Sequence, residues 1–292
     1  MTARRFAVVG DPVSHSRSPA MHAAAYRALG LPHRYETVHA TAAELPRTLD
    51  ALREGAFDGL NLTVPHKERG LALADELDAS ARVIGAANTL VRTADGRIIA
   101  YNTDAPALAA ELERMAAAGR PLERSWLGAR VLVLGSGGAA RAAIAACARL
   151  GAREIVVRAR AFDDATRRDG RRESLTASAP GLVHPQPWLA SAASEEQTIA
   201  VIQATSAGMK GADAGEVVAD VVAWGALPRD AIAIDVVYAP RDTPFLREAR
   251  DRGLRADDGL GMLARQGALA FELWLGVPAP FEVMRAALES AG

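Results

Sequence analysis

The segment Gly135-Ser136-Gly137-Gly138-Ala139-Ala140-Arg141 follows an apolar run, Arg130 to Leu134, and opens an alanine-rich stretch that reaches Leu150. This is G-x-G-x-x-A between a strand and a helix. The glycines let the backbone turn tightly and approach a pyrophosphate, and the helix start offers free N–H groups with partial positive charge. The next strand ends in Arg158-Ala159-Arg160, where an acid would grip the ribose hydroxyls of NAD, and no acid follows until Asp163. Two guanidiniums there suit a 2′-phosphate, because arginine pairs bidentately with phosphate oxygens. NADP is therefore the expected cofactor, with NAD as the alternative. Four more motifs lie towards the N-terminus: Ser14-His15-Ser16-Arg17-Ser18-Pro19, Asn61-Leu62-Thr63-Val64-Pro65-His66-Lys67, Gly85-Ala86-Ala87-Asn88-Thr89-Leu90 and Tyr101-Asn102-Thr103-Asp104. Each places small hydroxyl or amide side chains at a strand end or helix start, which suits recognition of a polyhydroxylated small molecule.

Alternating elements must position these groups. Phe6 to Val9 reads as a strand stopped by Gly10-Asp11-Pro12, and Pro19 to Leu29 as a helix closed by Gly30. Tyr35 to Val38 and Gly59 to Val64 are strands, and Ala43 to Arg53 is a helix. A helix is expected over Leu71 to Leu77. Thr89 to Arg92 and Ile98 to Tyr101 form a hairpin about Asp95-Gly96. A long helix begins at Asp104 and stops before Gly119-Arg120-Pro121. Arg130 to Leu134, Ala139 to Leu150 and Glu154 to Val157 make a βαβ unit, continued by strands at Ile199 to Gln203 and Ala231 to Val237. Helices at Asp258 to Leu275 and Phe281 to Leu288 close the chain. The fold class is α/β with two domains: an N-terminal α/β substrate domain and a doubly wound Rossmann dinucleotide-binding domain.

Bulk properties exclude several classes. The 292 residues are 50% hydrophobic and 24% charged, with a net charge of −1, so phosphate-driven nucleic-acid binding is not expected. The single cysteine, Cys147, forbids an intrachain disulfide and fits a reducing cytoplasm. It is expected to be a buried small hydrophobe. No signal peptide is expected, nor any membrane association, since no apolar stretch approaches the ~20 residues that span a bilayer. No metal-ligand spacing and no G-x-S-x-G motif occurs. The expected partner is a small molecule, and the chain is expected to be a monomer or homodimer.

Taken in order, the motifs resemble the shikimate dehydrogenase family (shikimate/quinate 5-dehydrogenase). The resemblance extends through Ala204-Thr205-Ser206-Ala207-Gly208-Met209, Asp235-Val236-Val237-Tyr238, Thr243-Pro244-Phe245-Leu246, Asp258-Gly259-Leu260-Gly261-Met262-Leu263 and Gln266-Gly267-Ala268. It implies a substrate domain over residues 1–104, completed by the C-terminal helices in 259–292, and an NADP-binding Rossmann domain over 105–258, with the active site where they meet. It implies that Lys67 and Asp104 form the catalytic pair, that Ser16 and Ser18 bind a substrate carboxylate with Tyr238 nearby, and that Asn61, Thr63, Asn88 and Gln266 bind ring hydroxyls. On the cofactor side it implies Gly135, Ser136, Gly137, Gly138, Ala139, Thr205, Ser206, Met209, Val236, Gly259 and Met262, to which the strand-end reading adds Arg158 and Arg160.

The implied activity is NADP-dependent interconversion of 3-dehydroshikimate and shikimate, in the shikimate pathway of aromatic amino-acid biosynthesis. The alternatives are a quinate/shikimate dehydrogenase using NAD and a non-catalytic ligand sensor. Ketone reduction needs a hydride on carbon and a proton on oxygen. Lys67 suits the proton, and retention of both Lys67 and Asp104 argues for an enzyme, since a sensor needs no proton donor. His15 and His66 are expected to hold loops. Three positions depart from the family pattern, all on the cofactor side: Ala159 where arginine is usual, Gln203 where asparagine is usual, and Ser136 where alanine is usual.

Overall fold

The computed structural model describes residues 2–118, 125–190 and 195–290, so the expected helix stop at Gly119-Arg120-Pro121 lies outside the described residues. In chain order the first elements are β1 (Arg5–Gly10), α1 (Ser18–Ala28), β2 (Arg34–His39), α2 (Leu45–Arg53), β3 (Gly59–Leu62), α3 (Lys67–Leu73), β4 (Glu76–Leu77), α4 (Ala79–Ile84), β5 (Thr89–Arg92), β6 (Ile98–Tyr101) and α5 (Asp104–Ala117). Then come β7 (Arg130–Leu134), α6 (Gly138–Leu150), β8 (Glu154–Arg158), α7 (Ala165–Ser178), β9 (Val183–Gln186), β10 (Thr198–Gln203), α8 (Glu216–Ala219), β11 (Ile232–Asp235), α9 (Pro244–Asp251), β12 (Arg255–Asp257), α10 (Leu260–Leu275) and α11 (Phe281–Ser290). These residues divide into two compact units, Met1–Ala107 with Leu260–Gly292, and Leu108–Gly259.

The first unit is built on a sheet of order β2-β1-β3-β5-β6-β4. β1 pairs in parallel with β2 and β3, while β5 runs antiparallel to both β3 and β6. The tight turn at Asp95-Gly96, with Gly96 at φ 85°, dictates the antiparallel hairpin. Strand alternation divides the side chains between two faces. Ala7, Val9, Leu60, Leu62, Leu90 and Ala100 share a core with Leu45, Leu49 and Leu52 of α2. Phe6 points the other way and stacks on Trp274 of α10 at 4.8 Å. Asn61 alternates with Leu60 and Leu62 and lies beside Thr89 in the register, so both polar residues sit on the Phe6 face.

One expectation fails locally. The single helix expected over Leu71 to Leu77 is instead α3, β4 and α4. Ala74 turns to extended backbone, Glu76–Leu77 pairs with β6, and Asp78 caps a new helix by accepting from Ser80 N at 2.8 Å. The helix therefore starts earlier than expected, at Lys67.

The second unit has the order β12-β11-β10-β7-β8-β9, with every pair parallel. Numbered from β7, that is the 3-2-1-4-5-6 order of a doubly wound Rossmann sheet. Its edge strands, β9 and β12, escape the sequence pattern because they are short and polar. Pro185 is tolerated in β9 because an edge strand can forgo a ladder donor. Cys147 of α6 is buried, and desolvation pushes its thiol up to about 12. Among the described residues no helix is long and apolar enough to cross a membrane, and no His/Cys/Asp/Glu group could hold a metal ion.

Candidate active site

In the first unit the chemistry gathers at the ends of β3 and β6 and the start of β5. The antiparallel register brings these three together, since Asn61 pairs with Thr89 and Thr89 with Tyr101. Lys67 opens α3 directly beyond β3, and Asp104 opens α5 directly beyond β6. Lys67 Nζ donates to Asp104 Oδ2 at 2.7 Å, with side chains 16% and 5% exposed. The ion pair is thus largely withdrawn from water while its lysine keeps some access.

Local bonds fix both partners. Ala87 N donates to Lys67 O at 2.9 Å, and His66 Nε2 lies 2.6 Å from Ala40 O. His66 therefore anchors the loop before Lys67. Asn102 Oδ1 accepts from Asp104 N and Ala105 N, which caps α5, and its amide donates to Ala86 O. Thr63 approaches β1 so closely that a Cβ on Gly10 would stand 2.4 Å from its methyl, so glycine is required there.

Asn88 is the hub. Its amide nitrogen reaches Asp104 Oδ1 and Thr103 Oγ1, each at 2.9 Å, and Gln266 Oε1 at 3.3 Å. Its carbonyl oxygen accepts from Thr103 N at 2.8 Å, with Thr103 Oγ1 and Thr89 Oγ1 also in reach. An amide has two hydrogens and two lone pairs, so the protein itself occupies this side chain. The contacts of Asn88 hold Asp104 in place.

Asn61 donates to Asn88 O and Thr89 Oγ1 and accepts from Tyr35 Oη at 2.7 Å, which leaves one lone pair on Oδ1. Tyr35 is a partner that sequence reasoning missed, because nothing local marks it. Asn102, two residues before α5, belongs to the helix-start motif, and the structure makes it the cap. Ser16 Oγ accepts from Ser18 N at the start of α1, where Pro19 opens the helix. Gln266 is buried on α10 and donates to Leu263 O; Met262 is buried one turn before it.

In the second unit Gly135 follows β7 with φ 116°, and a Cβ there would stand 2.9 Å from Ala204 O. Around Gly137 none of the described residues lies within 4 Å of such a Cβ, and none of their side chains caps α6. An open glycine turn against an uncapped 13-residue helix fits a pyrophosphate, with Ser136, Gly138 and Ala139 completing the turn. Gln203 shapes the neighbouring loop: its Oε1 accepts from Thr205 N at 2.5 Å and its Nε2 donates to Ala207 O at 3.1 Å. The longer amide therefore keeps a loop-closing role. Ser206 is exposed and Met209 half-buried on that loop.

Beyond β11, Asp235 accepts from Val237 N and Thr243 Oγ1, which ties down the segment carrying Val236 and Tyr238. Burial pushes its carboxyl up to about 7 against these bonds. Gly259 N donates to Val237 O at 3.2 Å.

Arg158 is a correction. Expected at the phosphate, it is instead 2% exposed, with Nη1 at 2.6 Å from the buried Glu195 Oε1 and 2.8 Å from Val221 O. As the last residue of β8 its side chain lies on a sheet face, where the buried carboxylate of Glu195 needs its charge. Arg160, two residues on, is exposed and meets Asp213 at 2.5 Å.

A 3-2-1-4-5-6 sheet with an open glycine turn in one unit, and a withdrawn Lys–Asp pair in the other, define the dinucleotide-dependent dehydrogenase class. Residues 8–90 match the Shikimate dehydrogenase substrate binding domain, and residues 259–289 match the Shikimate 5'-dehydrogenase C-terminal domain. Shikimate dehydrogenase (NADP(+)) of Methylobacterium radiotolerans is 43% identical over 94% of this chain and 92% of its own. The crystal structure of the Thermus thermophilus shikimate 5-dehydrogenase with NADP(H) and shikimate matches with a TM-score of 0.80 and 37% identity, covering 99% of this chain and all of that one. A ligand-free 5-ketofructose reductase from Gluconobacter matches with a TM-score of 0.82 and 30% identity over the full length of both. The chain belongs to the shikimate dehydrogenase family.

Proposed function

We propose that this protein is an NADP-dependent shikimate dehydrogenase, interconverting 3-dehydroshikimate and shikimate in the shikimate pathway of a reducing cytoplasm. The observation that carries the reading is the 2.7 Å Lys67–Asp104 pair, clamped by Asn88 among hydroxyl and amide side chains. The first unit takes the substrate and the second takes the cofactor. Bound NADP supplies or receives the hydride.

Lys67 Nζ gives the proton to the ketone oxygen in reduction and takes it back in oxidation, and its charge stabilises the developing alkoxide. Asp104 holds Nζ in line through Oδ2 while Asn88 restrains Oδ1. The start of α1, with Ser16 and Ser18, takes the substrate carboxylate: the first turn of that helix has no acidic residue, and its dipole favours an anion. Thr63, Gln266 and the remaining lone pair of Asn61 take ring hydroxyls.

The test is initial-rate oxidation of shikimate and quinate with NADP and with NAD, together with reduction of 5-ketofructose. The highest kcat/KM is expected for shikimate with NADP. Turnover in none of these pairings would overturn the assignment. Lys67→Ala is expected to lower kcat by about 10²–10⁴-fold while shikimate still binds, and unchanged turnover would remove Lys67 from the mechanism.

A further inference from the structure

Three strand-end positions of β8 could meet a 2′-phosphate, and the structure disposes of two. Arg158 is buried against Glu195 and Val221 O, and Ala159 has no polar side chain. The two acids that follow are also engaged by backbone. Asp163 Oδ1 accepts from Trp188 N at 3.0 Å, and Asp164 Oδ1 caps α7 by accepting from Thr166 N at 2.9 Å. Arg160 remains, with its side chain 65% exposed, and its Nη2 lies 2.5 Å from Asp213 Oδ2.

The position of that ion pair in the sheet is informative. β7 lies between β10 and β8, and the glycine turn leaves β7. Arg160 belongs to the connection after β8 and Asp213 to the connection after β10. Asp213 is fixed there because its carbonyl accepts from Gly208 N at 2.8 Å. The Arg160–Asp213 pair therefore bridges the two connections that flank the glycine turn, across the point where the strand order reverses. Dinucleotides lie across that crevice in sheets of this order.

We propose that Asp213 is a specificity-determining residue, an internal competitor that holds the Arg160 guanidinium until a 2′-phosphate displaces it. The inference rests on the dinucleotide site proposed above. A guanidinium forks onto either a carboxylate or a phosphate, and the phosphate carries more charge and more acceptor oxygens. The exposed carboxylate pair is weak enough to exchange. Asp213 then has two effects on a 2′-phosphate: it occupies the guanidinium, and it repels the incoming charge. An NAD-type ribose, which lacks the phosphate, leaves the bridge closed. Asp213 thereby lowers the margin by which the protein prefers NADP over NAD. Its neutral amide counterpart raises that margin.

The test titrates 2′,5′-ADP and 5′-AMP into the full-length wild type, Arg160→Ala and Asp213→Asn. The ratio of the two affinities is read in each protein, so partial loss of folded material cancels. Arg160→Ala is expected to reduce the preference for 2′,5′-ADP by about ten- to a hundredfold. Asp213→Asn is expected to raise it about two- to fivefold, a gain that shrinks as salt screens the exposed charges. An unchanged ratio in Arg160→Ala would place the phosphate elsewhere and overturn the inference; Arg171, whose Nη1 lies 3.5 Å from Ser136 O, would be the next group to replace. An unchanged or lowered ratio in Asp213→Asn would equally overturn the competitor role. A wild type that binds neither 2′,5′-ADP nor 5′-AMP would overturn the dinucleotide site itself. Binding of 2′,5′-ADP with flat ratios in both variants would overturn only the inference drawn from Asp213.

Discussion

Asn88 separates two roles that a sequence motif runs together. A side chain that binds substrate is felt in KM, whereas one that holds a reacting group is felt in kcat. Asn88 reaches Asp104 Oδ1, and Asp104 in turn holds Lys67. Asn88→Ala frees one oxygen of the carboxylate and leaves Thr103 N without its acceptor. A displacement of the lysine by a fraction of an ångström is costly where geometry carries the barrier. Steady-state kinetics on Asn88→Ala should show kcat for shikimate falling about ten- to a hundredfold with a much smaller change in KM. A raised KM with kcat preserved would make Asn88 a direct substrate ligand instead.

At the scale of elements, α1 buries a histidine against the sheet. His22 has no exposed surface, stacks on Tyr35 at 4.1 Å, and neither ring nitrogen has a hydrogen-bond partner among the described residues. Desolvation pushes the imidazole down to about 3. A folded-state pKa below the unfolded 6.5 means that the unfolded chain binds the proton first. Stability from this group is therefore fully present above pH ~6.5 and is lost as the pH falls towards 3, at about 1.4 kcal/mol per pH unit. Asp235 works in the opposite sense. Its raised value withdraws stability as the pH rises from about 4 through 7. Denaturant unfolding of His22→Phe across pH 4–8 should give a smaller acid-side loss than wild type. Parallel profiles for the two proteins would mean that the fold does not lower the affinity of His22 for a proton. The stacked partner matters for function because Tyr35 in turn orients Asn61.

The molecule as a whole divides into two compact units, and the first is assembled from both ends of the chain. Trp274 is the join: its ring stacks on Phe6 and its Nε1 donates to Leu90 O at 3.0 Å. Arg4 Nη1 donates to Trp274 O at 2.7 Å, which fastens the same turn of α10 to the N-terminal strand. Trp274→Ala removes a large buried ring and one hydrogen bond to Leu90 O, at a cost of about 3–5 kcal/mol. The expected result is a lowered unfolding transition for the first unit while 2′,5′-ADP binding by the second persists. Loss of both together would mean that the two units unfold as one cooperative block.

The glycine turn, the Asn-x-Thr-x-Pro-His-Lys run and the Asn-Thr-Asp helix start were legible in the residues, because each is a local solution to a local problem: a tight turn, a strand end, a cap. Strongly periodic segments such as Arg130 to Leu134 and the Asp104 helix were legible for the same reason. β9 and β12 were not, since a short polar edge strand is defined by the neighbour it pairs with and carries little pattern of its own. Arg158 shows most clearly where the sequence stops. Its type and position near a strand end suited a phosphate, yet extending β8 by one residue turned the side chain onto a sheet face, where Glu195 already needed a cation. The residues by themselves determined the order of the elements and the chemistry available at their ends. Only the tertiary structure decided which charges were consumed in pairing with one another and which remained for a ligand, because a buried charge answers to whatever the fold brings within about 4 Å of it.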